Sequence, residues 1–207
     1  MKRSIYFTSD WHIGHHSCIK FDDRPFRNMN HMHSVLVNNY NSCVGVNDIC
    51  YFVGDVGVGK KAEFDPADTI SQLNGTKILV IGNHDKSPAY MATMFDAVVY
   101  GLVLYIAQHR VTVSHCPLRG TWREDTTDMK GTVEGEGWHG ESRYKNQRLS
   151  FTNDGQFHLH GHIHSPNWGK SEKVLGKQRD IGVVANKYRP VHQSRIESWI
   201  AKFDRGR

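Results

Sequence analysis

The chain has 207 residues, enough for one domain with a substantial core, and 38% are hydrophobic, which excludes a disordered chain lacking the apolar material to offset its ordering entropy. Its net charge of +5 is modest, and no apolar run approaches the roughly 20 residues that span a bilayer, which excludes a helical membrane protein. Four cysteines without CxxC spacing make no disulfide scaffold, and Met1-Lys2-Arg3-Ser4 leads into a strand rather than an apolar leader, so a soluble, cytoplasmic protein is expected.

The first predicted strand, residues 4–8, runs into "SDWHIGHH", which sets Asp10 and His12 two residues apart at a strand end. Trp11 between them points the other way and is expected to pack. His16, His31 and His33 read as surface or packing residues. A helix is predicted over 29–43. A second strand, 48–53, ends in "YFVGDVG" and delivers Asp55. Asp65 as N-cap and Pro66 at the first helical position open a helix over 66–73, which stops at Asn74-Gly75.

The third strand, 77–81, ends in "LVIGNHD" with Asn83, His84 and Asp85. Strands follow at 102–107 and 111–114, the latter reaching His115 in "VTVSHCP". Residues 117–156 offer no clear strand and many Gly and charged residues, an irregular insertion within a single domain spanning 1–207. Its Arg, Lys, Trp and Tyr side chains could cap a site and stack on a base, or form a mobile surface excursion. A strand at 157–160 leads into "LHGHIH", with His160, His162 and His164. Near the end, Ile196, Trp199, Ile200 and Phe203 follow the spacing that buries one helical face. From residue 165 onward Lys and Arg outnumber acids ten to four, which either steers a polyanion or forms a solvated basic tail.

Each polar cluster sits at the end of an apolar run. In an α/β sheet the C-terminal strand ends share one edge, so these clusters are expected to form a single site. Two divalent cations about 3.5 to 4 Å apart need a bridging anion, which a carboxylate such as Asp55 can supply. Imidazoles, carboxylates and an amide oxygen suit Mn²⁺, Fe or Zn²⁺ better than a thiolate-seeking ion. Gly54, Gly82 and Gly161 allow tight turns that bring ligands close.

The ordered blocks "DWH", "GD", "GNHD", "SHCP" and "GHIH", from Ser4 to about Pro190, resemble the calcineurin-like metallophosphoesterase superfamily. Within it the chain is most similar to small bacterial and phage predicted phosphoesterases, through "SDWHIGHH", Arg24-Pro25-Phe26 and Tyr188-Arg189-Pro190-Val191. The resemblance implies a four-layer αββα sandwich, with mixed sheets flanked by helices and the metal site at the C-terminal strand ends. It implies that Asp10, His12 and His164 hold one metal, that Asp55 bridges, and that Asn83, His115 and His162 hold the other. His84 would act as general acid beside the metals, with Asp85 orienting it. His15 and Arg24 match subgroup positions and either bind a substrate phosphate or serve the structure.

The implied cofactors are two divalent ions, with Mn²⁺ leading and Fe, Zn²⁺ or Ni²⁺ as alternatives, and the implied attacking group is a metal-bound hydroxide. "GDVGVGK" and "GNHD" depart from the "GDxVDRG" and "GNHE" of the superfamily's protein phosphatases, and His84 departs from the arginine of its lipid-precursor pyrophosphatases. A phosphodiesterase acting on a nucleotide or nucleic-acid-type substrate is therefore expected. A phosphomonoesterase and a catalytically silent metal-binding scaffold are the alternatives. No membrane partner is expected, and the oligomeric state has no signature in the sequence.

Overall fold

The computed structural model describes residues 3–57, 65–118, 155–166 and 176–205. In chain order these form β1 (Ile5–Thr8), α1 (Ser17–Phe21), α2 (Met29–Asn41), β2 (Ile49–Phe52), α3 (Pro66–Ile70), β3 (Thr76–Val80), α4 (Pro88–Met91), β4 (Ala97–Val99), β5 (Leu102–Ile106), β6 (His109–Val113), β7 (Phe157–His160), β8 (Gln178–Asp180), β9 (Val191–His192) and α5 (Gln193–Arg205). Apart from its first and last two residues, the irregular segment expected at 117–156 lies outside the described residues. No helix among the described residues is long and apolar enough to cross a membrane.

The strands make two mixed sheets. One has the order β4-β3-β2-β1-β9, with β1 to β4 parallel and β9 antiparallel at the edge. The other has the order β5-β6-β7-β8, with an antiparallel hairpin followed by parallel pairs. The period-2 rule divides the strand residues between two cores. Cys50 and Phe52 face the helix side, where Met29, Met32, Leu36 and Tyr40 form the buried stripe of α2. Val53 joins Phe7 and Val80 on the opposite face, against Ile106, Val111, Val113, Phe157 and Leu159 of the second sheet. The predicted stripe of α5 closes this inter-sheet core through Ile196, Trp199 and Ile200, with Trp199 edge-on to Phe157 at 5.1 Å. Two mixed sheets flanked by helices are the arrangement of the calcineurin-like αββα sandwich.

Local signals explain several boundaries. Asn28 accepts from the His31 N–H at 2.9 Å and starts α2, and Asp65 with Pro66 starts α3. Short elements escape the sequence reading: α1, α4, β4, β8 and β9 span two to five residues each, too few to display a period. The β5–β6 turn escapes for another reason. Ala107 and Gln108 carry it at φ 48° and 65°, a left-handed pair usually marked by Asn or Gly.

Candidate metal centre

Past their last paired residues, β1 and β2 keep running side by side. The N–H groups of Asp10, His12 and Ile13 donate to the carbonyls of Gly54, Asp55 and Val56 at 3.1, 3.0 and 2.8 Å. The "DWH" and "GDVG" loops are thus one extended parallel pair. The loop of the second sheet meets them where the His162 N–H donates to both Asp10 carboxylate oxygens, at 3.0 and 3.1 Å. Asp10, His12, Asp55, His162 and His164 all lie in the left-handed region, at φ 59°, 53°, 53°, 71° and 43°. Asp and His enter this region several-fold more readily than most non-glycine residues, yet the conformation still costs of order 1–3 kcal/mol each. The surrounding hydrogen bonds hold the backbone in a shape that it would not choose alone.

Close approach makes two glycines obligatory. A Cβ on Gly82 would overlap the Asp55 carboxylate and amide nitrogen, and one on Gly161 would overlap Ser9 Oγ and Asp10 Oδ2.

The side chains gather into two groups able to hold a cation: Asp10, His12 and His164, and Asp55, His115 and His162. Within each group the ligand atoms lie within 4.8 Å of one another. In the first, His12 Nε2 and His164 Nε2 face each other at 3.0 Å, and Asp10 Oδ1 is 3.4 Å from His164 Nε2. In the second, Asn83 Oδ1 sits 2.9 Å from both His115 Nε2 and His162 Nδ1. One atom reaches both groups: Asp55 Oδ2 is 3.3 Å from His115 Nε2 and 3.7 Å from His12 Nε2.

The electrostatics suit a cation. Burial opposes charge on Asp10, but the hydrogen bond and positive field of His164, with His115 and His12 beyond, hold its carboxyl well below the usual range. Burial likewise opposes charge on Asp55, and His115 and His12 overcome it. Burial disfavours a cationic His164, yet Asp10 and Asp22 push its pKa up to about 10. His115 is raised well above the ordinary value because Asp55 outweighs its burial. His12 and His162 are pushed down to about 3 and about 4, chiefly by burial. Each group thus combines an anionic carboxylate, a neutral imidazole and an imidazole whose proton stands where a cation would go. Carboxylate, imidazole and amide donors form a set that fits a divalent first-row ion.

The remaining predicted residues surround these groups. His84 is exposed, its ring 5.4 Å from that of His12 and 6.2 Å from that of His15, and its backbone N–H donates to Asp55 Oδ1 at 2.8 Å. His15 Nδ1 lies 3.5 Å from His12 Nδ1. Asp85 accepts from the backbone N–H groups of Gly82, Asp55 and Val56 at 2.7, 3.1 and 2.8 Å, which ties together the loops carrying Asp55 and Asn83. A direct hold on a substrate phosphate, one of the two roles open to Arg24, is closed to it. Its side chain is 0% exposed, and the guanidinium bonds Asp22 and the carbonyls of Asp10 and Trp11. Trp11 is buried against Tyr40 and Phe52, and its indole donates to Thr8 Oγ1 at 2.8 Å.

Sequence reasoning missed Asp22 and Asp180. Asp22 Oδ1 lies 2.8 Å from His164 Nδ1, and nothing in "FDDRPF" separates it from Asp23. Asp180 is buried and accepts from the N–H groups of Ser165 and Gly182, both at 2.7 Å. In sequence it follows Lys177-Gln178-Arg179, and nothing there marks it as buried.

A protein of unknown function from Aquifex aeolicus has the same fold, with a TM-score of 0.66 at 21% identity over 96% of this chain and 100% of that one. An uncharacterized protein of Methanocaldococcus jannaschii is 27% identical over 202 residues, 97% of this chain and 93% of its own length. The gene 66 protein of Mycobacterium phage L5 is 31% identical over 186 residues, 88% of this chain and 87% of that protein. The chain belongs to the family of that phage protein. Its two mixed sheets flanked by helices are the arrangement expected of a calcineurin-like metallophosphoesterase, and each of its two ligand groups could hold a metal ion. No family model matches the chain. Two of the three stretches that carry the resemblance to bacterial and phage phosphoesterases meet in space, with the Phe26 ring edge-on to Tyr188 at 4.6 Å.

Proposed function

We propose that the protein is a metal-dependent phosphodiesterase acting on a nucleotide or nucleic-acid-type substrate, with Mn²⁺ as its working ion. The observation that carries this reading is the position of Asp55 Oδ2 between two ligand groups, 3.3 Å from His115 and 3.7 Å from His12. Asp10, His12 and His164 would hold one ion, and Asn83, His115 and His162 the other, with Asp55 shared. When bound, such a pair neutralises charge on a phosphoryl group and lowers the pKa of water.

The chain's own residues do the rest. Asp10 and Asp55 set a fixed negative field that keeps the site selective for cations. The Asp85 staple holds the Asp55 backbone, and the His84 backbone N–H on Asp55 Oδ1 holds that shared carboxylate. His84, exposed on the rim beside His12 and His15, would protonate the departing ester oxygen with a ring nitrogen. Proton donation matters most for a poor leaving group, so loss of His84 should slow alkyl esters more than nitrophenyl esters. Arg24 is buried, and among the described residues His15 and His84 would face a phosphate at the rim.

The test is hydrolysis of bis-p-nitrophenyl phosphate and p-nitrophenyl phosphate by metal-stripped protein resupplied with Mn²⁺, with Asp55→Asn as control. Diester cleavage that the substitution abolishes supports the proposal. A preference for the monoester replaces it with a phosphatase. Ion binding without turnover of either ester points to the silent scaffold.

A further inference from the structure

We infer that Asp22, clamped by Arg24, is a positioning residue for the first ligand group, which it serves by fixing the ring of His164 with Nε2 toward Asp10 and His12. The inference rests on the metal-centre reading and adds a residue which that reading does not contain.

The contacts close a circuit. His164 Nδ1 meets Asp22 Oδ1 at 2.8 Å. Asp22 Oδ2 receives Arg24 Nη2 at 2.8 Å and Nε at 2.9 Å. Arg24 also donates from Nη2 to the Asp10 carbonyl at 3.0 Å and from Nη1 to the Trp11 carbonyl at 3.2 Å. Asp10 Oδ1 then returns to His164 Nε2 at 3.4 Å. A side chain 142 residues away in sequence is thereby locked to the backbone of the loop that presents Asp10 and His12.

The chemistry gives this circuit a task. A neutral imidazole has one N–H and one lone pair, and an acceptor at Nδ1 selects the form whose lone pair is on Nε2. A carboxylate there also fixes the ring plane and makes Nε2 a stronger donor to a cation. Arg24 holds that carboxylate by two nitrogens, a fork that a lysine cannot reproduce. Its side chain has 0% exposure and that of Asp22 only 9%, and a pair so buried adds little net stability. Stability alone therefore gives no reason to bury it beside His164.

The experiment titrates metal-stripped protein with Co²⁺, following binding by calorimetry and the visible absorption of the ion. The unmodified chain should take up two ions. Asp22→Asn should weaken one binding step about 10–100-fold, shift that ion's visible band and leave the other step unchanged. In a chain carrying His162→Ala, which disables the second group, the Asp22→Asn loss should fall on the remaining step. Two unchanged steps, or equal losses at both, would overturn the inference, since the first denies Asp22 any hold on the ion and the second marks a general loss of fold. Should Asp22→Asn fail to fold, Arg24→Lys is read by the same criteria. If the unmodified chain binds no Co²⁺, the metal-centre reading itself falls and takes this inference with it. One step lost with the other intact separates the two.

Discussion

His164 and His115 each turn one ring nitrogen toward a ligand group and the other away from it, and what stands behind the ring differs. Behind His164 is the carboxylate of Asp22, at 2.8 Å. Behind His115 is the backbone carbonyl of Val53, also at 2.8 Å, which Ser9 Oγ reaches at 2.6 Å. The first support is a charged side chain that one substitution removes, on a histidine 22% exposed. The second is the end of a sheet strand, which no substitution removes, behind a histidine 4% exposed. The first group is thus assembled by side chains across the two sheets, and the second is anchored to the sheet backbone. Substitutions around the centre should therefore act unevenly on the two groups.

The largest effect should come from Asp55, whose Oδ2 stands between imidazoles of both groups. Asp55→Asn should cut Mn²⁺-supported hydrolysis of bis-p-nitrophenyl phosphate by at least about 100-fold, more than removal of an outer partner does. It should also weaken both ions in a calorimetric titration. Weakening of only one ion would break the shared role.

Protons should report the two groups next. His164, pushed up to about 10, and His115, raised well above the ordinary value, both hold a proton in the metal-free protein at neutral pH. His12 at about 3 and His162 at about 4 do not. A cation must displace the protons that are present, so loading both groups near pH 7 should release about two protons. Ion affinity should then rise with pH, about tenfold per unit for each proton displaced. Calorimetry in buffers of different ionisation enthalpy counts these protons, and release of none would show that the paired imidazoles are already neutral.

Smaller effects should come from the buried carboxylates behind each group. Asp85 accepts three backbone N–H groups behind Asp55, and Asp180 accepts from Ser165 and Gly182 behind His164. Asparagine in either place sets an amide N–H against a backbone N–H, at a cost of about 1–3 kcal/mol in urea unfolding. Asp85→Asn should be the more damaging, and the reverse order would shift the rigid anchor to the first group. The smallest effect should be that of Ser9→Ala. It removes a donor from the Val53 carbonyl but leaves the carbonyl on His115, so stability should drop by about 1 kcal/mol with both ion affinities retained.

Much of the fold was legible because apolar runs end in polar clusters. The runs of β1, β2, β3 and β7 stand out by their apolar residues, and the stripe of α5 by its helical spacing. The ligand groups were legible because Asp, His and Asn recur after apolar runs, and those residue types also tolerate the left-handed backbone found there. Asp22 was not legible: it and Asp23 are identical in type, and only one of them faces His164. Arg24 looked as suited to a phosphate as to a structural role, and only the structure shows its guanidinium buried on Asp22 and two backbone carbonyls.

By itself, the sequence determined the main apolar runs, the residue types at the strand ends and the order in which they arrive, since these follow from local patterning and side-chain chemistry. Only the tertiary structure decided which of those residues stand behind the centre and which line it. Contacts such as His164 with Asp22, 142 positions apart, depend on how two sheets pack, and no local pattern encodes that distance.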